Sequence, residues 1–142
     1  MEDIKIIVAS HGYFSKELIK SAEMITGPMK NIEAFSLLPN METSKFRNEV
    51  TTAIDNDSAI IALVDLFGGT PANVLSSLIE SYNIEVITGV SLPMLLELYF
   101  NVSQNQFNSH EDLINNTVKV GTEGIVHVNE FLLDREENDE LD

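Results

Sequence analysis

The strongest constraint on the fold of this chain is the six-residue run "AIIALV" at 59–64, which no polar side chain interrupts. Asp65 stops it, and Gly68-Gly69 follow. Such a run reads as a strand buried on both faces, the kind found in parallel sheets covered by helices. "IKIIVA" at 4–9 has the same character, with only Lys5 breaking it. "EAFSLL" (33–38) is less apolar and suits an edge position, and "IEVIT" (84–88) reads as a fourth strand.

Helical spacing fills the intervals. Phe14, Leu18, Ala22 and Ile25 share a face before Gly27-Pro28, and Phe46, Val50, Ala53 and Ile54 share another. From about Pro71, a stripe of Val74, Leu75, Leu78, Ile79 and Tyr82 predicts a third helix. After Pro93, Leu95, Leu98, Tyr99 and Val102 predict a fourth. A last helix is expected from Ser109 or His110 to Val120, running into Gly121. "IVHV" (125–128) reads as a short fifth strand, antiparallel to the others.

Strands alternating with helices make right-handed βαβ units. The expected fold is α/β, with an open, mainly parallel four-stranded sheet in the order 2-1-3-4 and helices on both faces. The 142 residues suit one domain, taken as 1–130, followed by an acidic C-terminal tail at 131–142. Within that tail, "DREENDELD" (134–142) reads as a solvated, frayed terminus.

Composition removes several function classes. A formal net charge of −15 argues against nucleic-acid binding, which needs clustered Lys and Arg. The absence of cysteine excludes disulfides, thiolate zinc sites and a cysteine nucleophile. No apolar run reaches membrane-spanning length and no secretory leader pattern is present, so the expectation is a soluble, cytoplasmic protein. Neither G-x-G-x-x-G after the first strand nor a GK[ST] loop is found, and G-x-S-x-G and HExxH are likewise missing.

In a 2-1-3-4 sheet the winding direction reverses between strands one and three, and ligands sit beyond the carboxyl ends there. His11, in "VASHG" (8–12), ends the first strand, and Asp65 follows the third. Neighbouring strands lie about 5 Å apart, which brings the two side chains to one rim. A carboxylate on one imidazole nitrogen fixes the tautomer and frees the other as a nucleophile or base. It also stabilises positive charge developing on the ring.

"GGTP" (68–71) places Gly68 and Gly69 in a tight loop, Thr70 at the helix N-cap and Pro71 at the first helical position. Backbone N–H groups at such a helix start form an anion site, to which Thr70 adds a hydroxyl and Gly12 a further amide. Read from residues alone, the blander accounts stay open: a structural histidine, a turn-capping aspartate, and glycines as punctuation. His11 and Asp65 have no evident third metal ligand beside them, and no metal is expected. His110 and His127 read as structural. Met24 and Met94 are read either as core filler or as flexible apolar contacts for partners.

These same residues make the sequence resemble the EIIA component of the mannose/fructose/sorbose family of the bacterial phosphoenolpyruvate:sugar phosphotransferase system (PTS). The resemblance covers nearly all of 4–125, through "SHGYFSKELIKSAEMITG" (10–27), "VDLFGGTPANV" (64–74) and "TGVSLPMLLELY" (88–99). It implies a phosphotransferase with a phosphohistidine intermediate. His11 would receive a phosphoryl group from HPr and pass it to EIIB, which phosphorylates sugar entering through the membrane components EIIC and EIID. It places the orienting aspartate at Asp65 and the phosphoryl-binding hydroxyl at Thr70. "SLPM" (91–94), with Pro93 and Met94, borders the active site, and Met24 aligns with an exposed docking position.

The resemblance further implies a homodimer, often with a terminal strand exchanged, and no cofactor. The chain looks like a free-standing EIIA that works with a separate EIIB. Two departures stand out: Leu66, where some relatives carry a hydroxyl, and Ala72, often aromatic in relatives. Two rival readings fit the same crevice. One is the phosphoryl-donor subunit of dihydroxyacetone kinase, similar in fold and early histidine; the other is a non-catalytic module holding a small anion. "GGTPAN" and "LPMLLE" favour the sugar-transport group.

Overall fold

The computed structural model describes residues 3–54 and 58–141. Four strands form one parallel sheet: β1 (Ile4–His11), β2 (Ile32–Leu37), β3 (Ala59–Val64) and β4 (Ile84–Thr88), in the order β2-β1-β3-β4. The expected topology is therefore the observed one. β1 and β3 lie side by side, with Ile4 opposite Ala59 and Ala9 opposite Val64.

The uninterrupted apolar runs are explained by two cores, one on each face. Ile4, Ile6 and Val8 of β1 and Ala59, Ile61 and Leu63 of β3 pack toward one face. That face is covered by α1 (Phe14–Thr26), α4 (Leu92–Ser103) and α5 (His110–Glu123), through Ala22, Leu95, Leu98 and Leu113. The alternate residues Ile7, Ala9, Ile60, Ala62 and Val64 meet α2 (Thr43–Ala53) and α3 (Thr70–Ser77), through Phe46, Val50, Val74 and Leu75. Lys5, the one charge in the β1 run, escapes the second core by its length. Its Nζ donates to Glu33 Oε2 at 2.9 Å and to the carbonyl of Ala53, at the end of α2, at 3.0 Å. A cation is favoured at a helix C-terminus.

The helix ends follow local chemistry. α1 stops at Gly27, whose φ of 79° suits glycine, and Pro28 follows. Ser91 and Ser109 cap α4 and α5, accepting from the amides of Met94 and Asp112. α5 begins at the expected place and continues through Gly121 to Glu123. α3 is shorter than its apolar stripe predicts: it ends at Ser77, leaving Ile79 exposed and Tyr82 in the following turn. The Ser77 hydroxyl donates back to Val74 O at 2.6 Å, and serine side chains that bond local carbonyls compete with helical continuation.

Two expectations at the C-terminal end are corrected. Residues 125–127 are irregular, and Val128 opens a sixth helix, α6 (Val128–Leu141), in place of a fifth strand. A strand needs a hydrogen-bonded neighbour, and these residues meet none among the described residues; Ile125 is 85% exposed. The Glu- and Leu-rich run that follows favours helix instead. The acidic tail is helical up to Leu141 rather than frayed, and its described side chains are all exposed. Its last residue, Asp142, lies outside the described residues.

Candidate active site

His11 is the last residue of β1, and Asp65 follows β3 directly, its amide donating to Ala9 O at 3.1 Å. One oxygen of Asp65 then binds His11 twice. Oδ2 accepts from the His11 backbone N–H at 2.9 Å and lies 2.8 Å from the ring Nδ1. A carboxylate accepts only, so the proton of a neutral imidazole sits on Nδ1 and the lone pair on Nε2. The His11 side chain is 50% exposed and that of Asp65 17%. The other carboxylate oxygen, Oδ1, is buried and accepts no hydrogen bond among the described residues.

The turn that carries His11 is held by a serine pair absent from the expected site. Ser10 and Ser15 are fully buried. Ser10 Oγ accepts from the Ser15 amide at 2.8 Å and donates to Gly12 O at 3.1 Å, while Ser15 Oγ donates to Phe35 O at 3.1 Å. The chain therefore reverses over a buried polar clamp and enters α1 without a side-chain cap at Tyr13. Gly12 serves this turn through its φ of 59°. Its amide donates to Leu37 O at 2.8 Å, so the expectation that it offers a free N–H to an anion is corrected.

The helix start beside His11 is displaced by one residue from expectation. Gly69 is the N-cap of α3, Thr70 the first helical residue and Pro71 the second. With glycine at the cap, no side chain satisfies the first amides. The amides of Gly68 and Gly69 and the hydroxyl of Thr70 have no hydrogen-bond partner among the described residues. Unpaired donors at a helix start hold an anion through hydrogen bonds and the helix dipole. His11 shares the face of β1 that carries Ile7 and Ala9, and this is the face covered by α3.

The two loops that carry His11 and Asp65 expose several apolar side chains. Phe67 is 84% exposed, and Tyr13, Phe14 and Leu66 are also exposed. Sequence reading missed Phe67 and the two aromatic residues of the β1–α1 turn as site features. Met24 is 89% exposed but lies near the far end of α1. At 1.5 Å per residue that is about 15 Å from Phe14. Met94 is corrected to core: it is 4% exposed and packs on Gly121, so it offers no docking surface. Pro93 is exposed beside Gly124, and the segment before it reaches the sheet's carboxyl rim, where the Val90 amide donates to Val64 O at 3.1 Å. Ala72 is buried in the α3 core, where an aromatic ring has no room without repacking.

The remaining histidines stand elsewhere. His110 lines a small cavity with Ile4, Ala59 and Asn83 at the amino ends of the strands, opposite His11. His127 lies 3.5 Å from Glu130 on the exposed C-terminal segment. No group of three or more His, Asp or Glu side chains is placed to hold a metal among the described residues. No helix among them is long and apolar enough to cross a membrane.

An imidazole aimed by a carboxylate, with its other nitrogen open beside unpaired helix amides, has the equipment of a group-carrying histidine on an open α/β sheet. Comparison with known proteins agrees with that class. The family model described as PTS system fructose IIA component matches residues 5–116. The PTS system mannose-specific EIIAB component of Escherichia coli is 32% identical over 127 residues, covering 86% of this chain and 38% of the relative. The chain thus spans about two fifths of that relative's length. The PTS system fructose-specific EIIA component of Bacillus subtilis is 32% identical over 80% of this chain and 78% of its own. Among solved structures, an EIIA from Streptococcus agalactiae superposes with a TM-score of 0.82 at 32% identity, covering 89% of this chain and 98% of its own. The chain belongs to the mannose/fructose/sorbose EIIA family of the PTS.

Proposed function

We propose that this protein is a phosphoryl carrier that accepts a phosphoryl group on Nε2 of His11 from phospho-HPr and passes it to EIIB. EIIB would spend it on a sugar entering through EIIC and EIID. In the first transfer the Nε2 lone pair attacks phosphorus, the new N–P bond forms and the N–P bond to the donor histidine breaks. Attack leaves the His11 ring with positive charge, which the Asp65 carboxylate balances through Nδ1–H. The amides of Gly68 and Gly69 and the Thr70 hydroxyl hold the phosphoryl oxygens. The second transfer reverses these roles with the EIIB side chain as nucleophile. Metal and nucleotide take no part, because donor and acceptor are themselves phosphoproteins.

The observation that carries this reading is the 2.8 Å contact of Asp65 Oδ2 with Nδ1, which leaves Nε2 to react. In this reading residues 1–130 are the transfer domain, and the protein acts in the cytoplasm as a homodimer. Met24 and Pro93 lie in the outer part of the partner footprint, and the exposed apolar residues about His11 in its centre. The test is incubation with phosphoenolpyruvate, enzyme I and HPr. One acid-labile phosphoryl group per chain is expected, and His11→Ala abolishes it. A wild-type chain that stays unlabelled beside a labelled EIIA control overturns the reading in favour of an anion-binding module.

A further inference from the structure

Two kinds of glycine surround His11. Gly12 and Gly68 have φ of 59° and 84°, a region that side chains disfavour, and a Cβ built on either meets nothing within 4 Å. Backbone conformation accounts for both. Gly69 is different: its φ of −87° and ψ of 168° are open to any residue. As an N-cap it also forgoes the side-chain oxygen that Ser, Thr, Asp or Asn would supply there. As a cap, glycine is outranked by Ser, Asp and Asn, and strain does not explain it at this position.

The imidazole does. A Cβ on Gly69 would lie 2.8 Å from His11 Cε1, 3.4 Å from Nε2 and 3.8 Å from Leu66 Cδ2. Carbon atoms in contact prefer about 3.5–4.0 Å, so the ring or the loop has to move. The ring is not free to do so, because Asp65 Oδ2 holds it at Nδ1 and holds the His11 amide as well. Turning the ring away from the Cβ breaks the contact that sets the tautomer. The atom most crowded, Cε1, is bonded to both ring nitrogens, so the clash falls beside the reacting one.

We infer that Gly69 is a positioning residue whose missing side chain lets the α3 start close onto His11, seating the imidazole between Asp65 Oδ2 and the loop backbone. The inference rests on the carrier reading for its kinetic consequence but not for its structural one. It assigns Gly69 a steric task separate from any amide it offers to a phosphoryl group.

Gly69→Ala and Gly69→Ser test it together. Both add the Cβ, but serine also supplies a capping oxygen, so a helix-stability effect and a ring effect separate. Transfer from phospho-HPr is expected to fall in kcat by about a hundredfold in both variants, as ångström-scale misplacement of a reacting group does. KM should change less than about twofold, because an added Cβ meets the imidazole and Gly69 is not among the exposed apolar residues of the flanking loops. Nitrogen-15 NMR of the His11 ring supplies a readout independent of activity. The wild type is expected as the Nδ1–H tautomer, and both variants with that population reduced. Serine and alanine variants that keep the wild-type tautomer and rate overturn the inference. A wild type found as the Nε2–H tautomer overturns it too. If the wild type takes no phosphoryl group, the carrier reading fails while the NMR comparison still decides the role of Gly69.

Discussion

Asp65 Oδ2 accepts hydrogen bonds from both the backbone amide and the ring Nδ1 of His11, at 2.9 and 2.8 Å. A single atom from the residue that follows β3 thus fixes the end of β1 and the plane of its terminal side chain. Asn at position 65 keeps the shape and one accepting oxygen but loses the charge that balances a phosphorylated ring. Its amide nitrogen can also donate to Nδ1 and stabilise the wrong tautomer. Asp65→Asn is expected to lower the phosphorylation rate of His11 by up to about 10⁴-fold, the loss seen when a catalytic histidine's orienting Asp is changed to Asn. Circular dichroism should remain that of the folded wild type. Rates within threefold of wild type would remove Asp65 from the mechanism.

The Ser10–Ser15 clamp predicts a stability effect from a residue that touches no reactant. Ser10→Ala removes the acceptor of the buried Ser15 amide and the donor to Gly12 O. A buried donor left unpaired costs about 1–3 kcal/mol. Urea denaturation should show that loss in the midpoint with little change in slope. Transfer should slow as well, since the turn that presents His11 loosens. An unaltered midpoint would mean that the Ser15 amide finds another partner.

The fold was readable because its strands are buried on both faces, so apolar content alone marks β1 and β3 and their pairing brings His11 to Asp65. The same logic fails where one residue type serves two ends. Met24 and Met94 both fall in helical patterns, yet one is exposed and the other core, a difference set by which face each helix turns to the sheet. The α3 start slipped by one residue because Gly, Thr and Pro each suit two adjacent positions at a helix N-terminus. "IVHV" (125–128) has strand-like side chains, but pairing depends on a neighbour that sequence order does not supply. Ser10 and Ser15 gave no signal beyond being small and polar; only the turn geometry makes them partners. Gly69 looked like loop punctuation until the imidazole was placed against it.

Phe67 and Met24 differ in what they should do for partners. A protein interface of standard size covers roughly 800 Å² per side, a disc whose radius is about 16 Å. Phe67, in the loop that follows Asp65, falls near its centre, and Met24, some 15 Å along α1, near its rim. Central aromatic residues carry most of the binding energy and rim residues little. Phe67→Ala should therefore raise KM for phospho-HPr about tenfold with kcat nearly unchanged, and Met24→Ala less than twofold. Both side chains are exposed, so melting temperatures should stay at the wild-type value. Equal effects would move the centre of the footprint toward α1.

Shortening the chain after residue 130 tests where the transfer domain ends. Every side chain described from Phe131 to Asp139 is exposed, and the first of these residues is tied back only by its amide, which donates to His127 O at 3.1 Å. The site, both cores and the five helices α1 to α5 are complete before that point. A chain of residues 1–130 is expected to melt within about 2 °C of the full chain, because exposed groups far from a core contribute little. It should accept a phosphoryl group on His11 at an undiminished rate, measured with the same enzyme I and HPr mixture. A lower melting temperature that depends on protein concentration would show instead that α6 packs between copies, since association couples stability to protomer concentration.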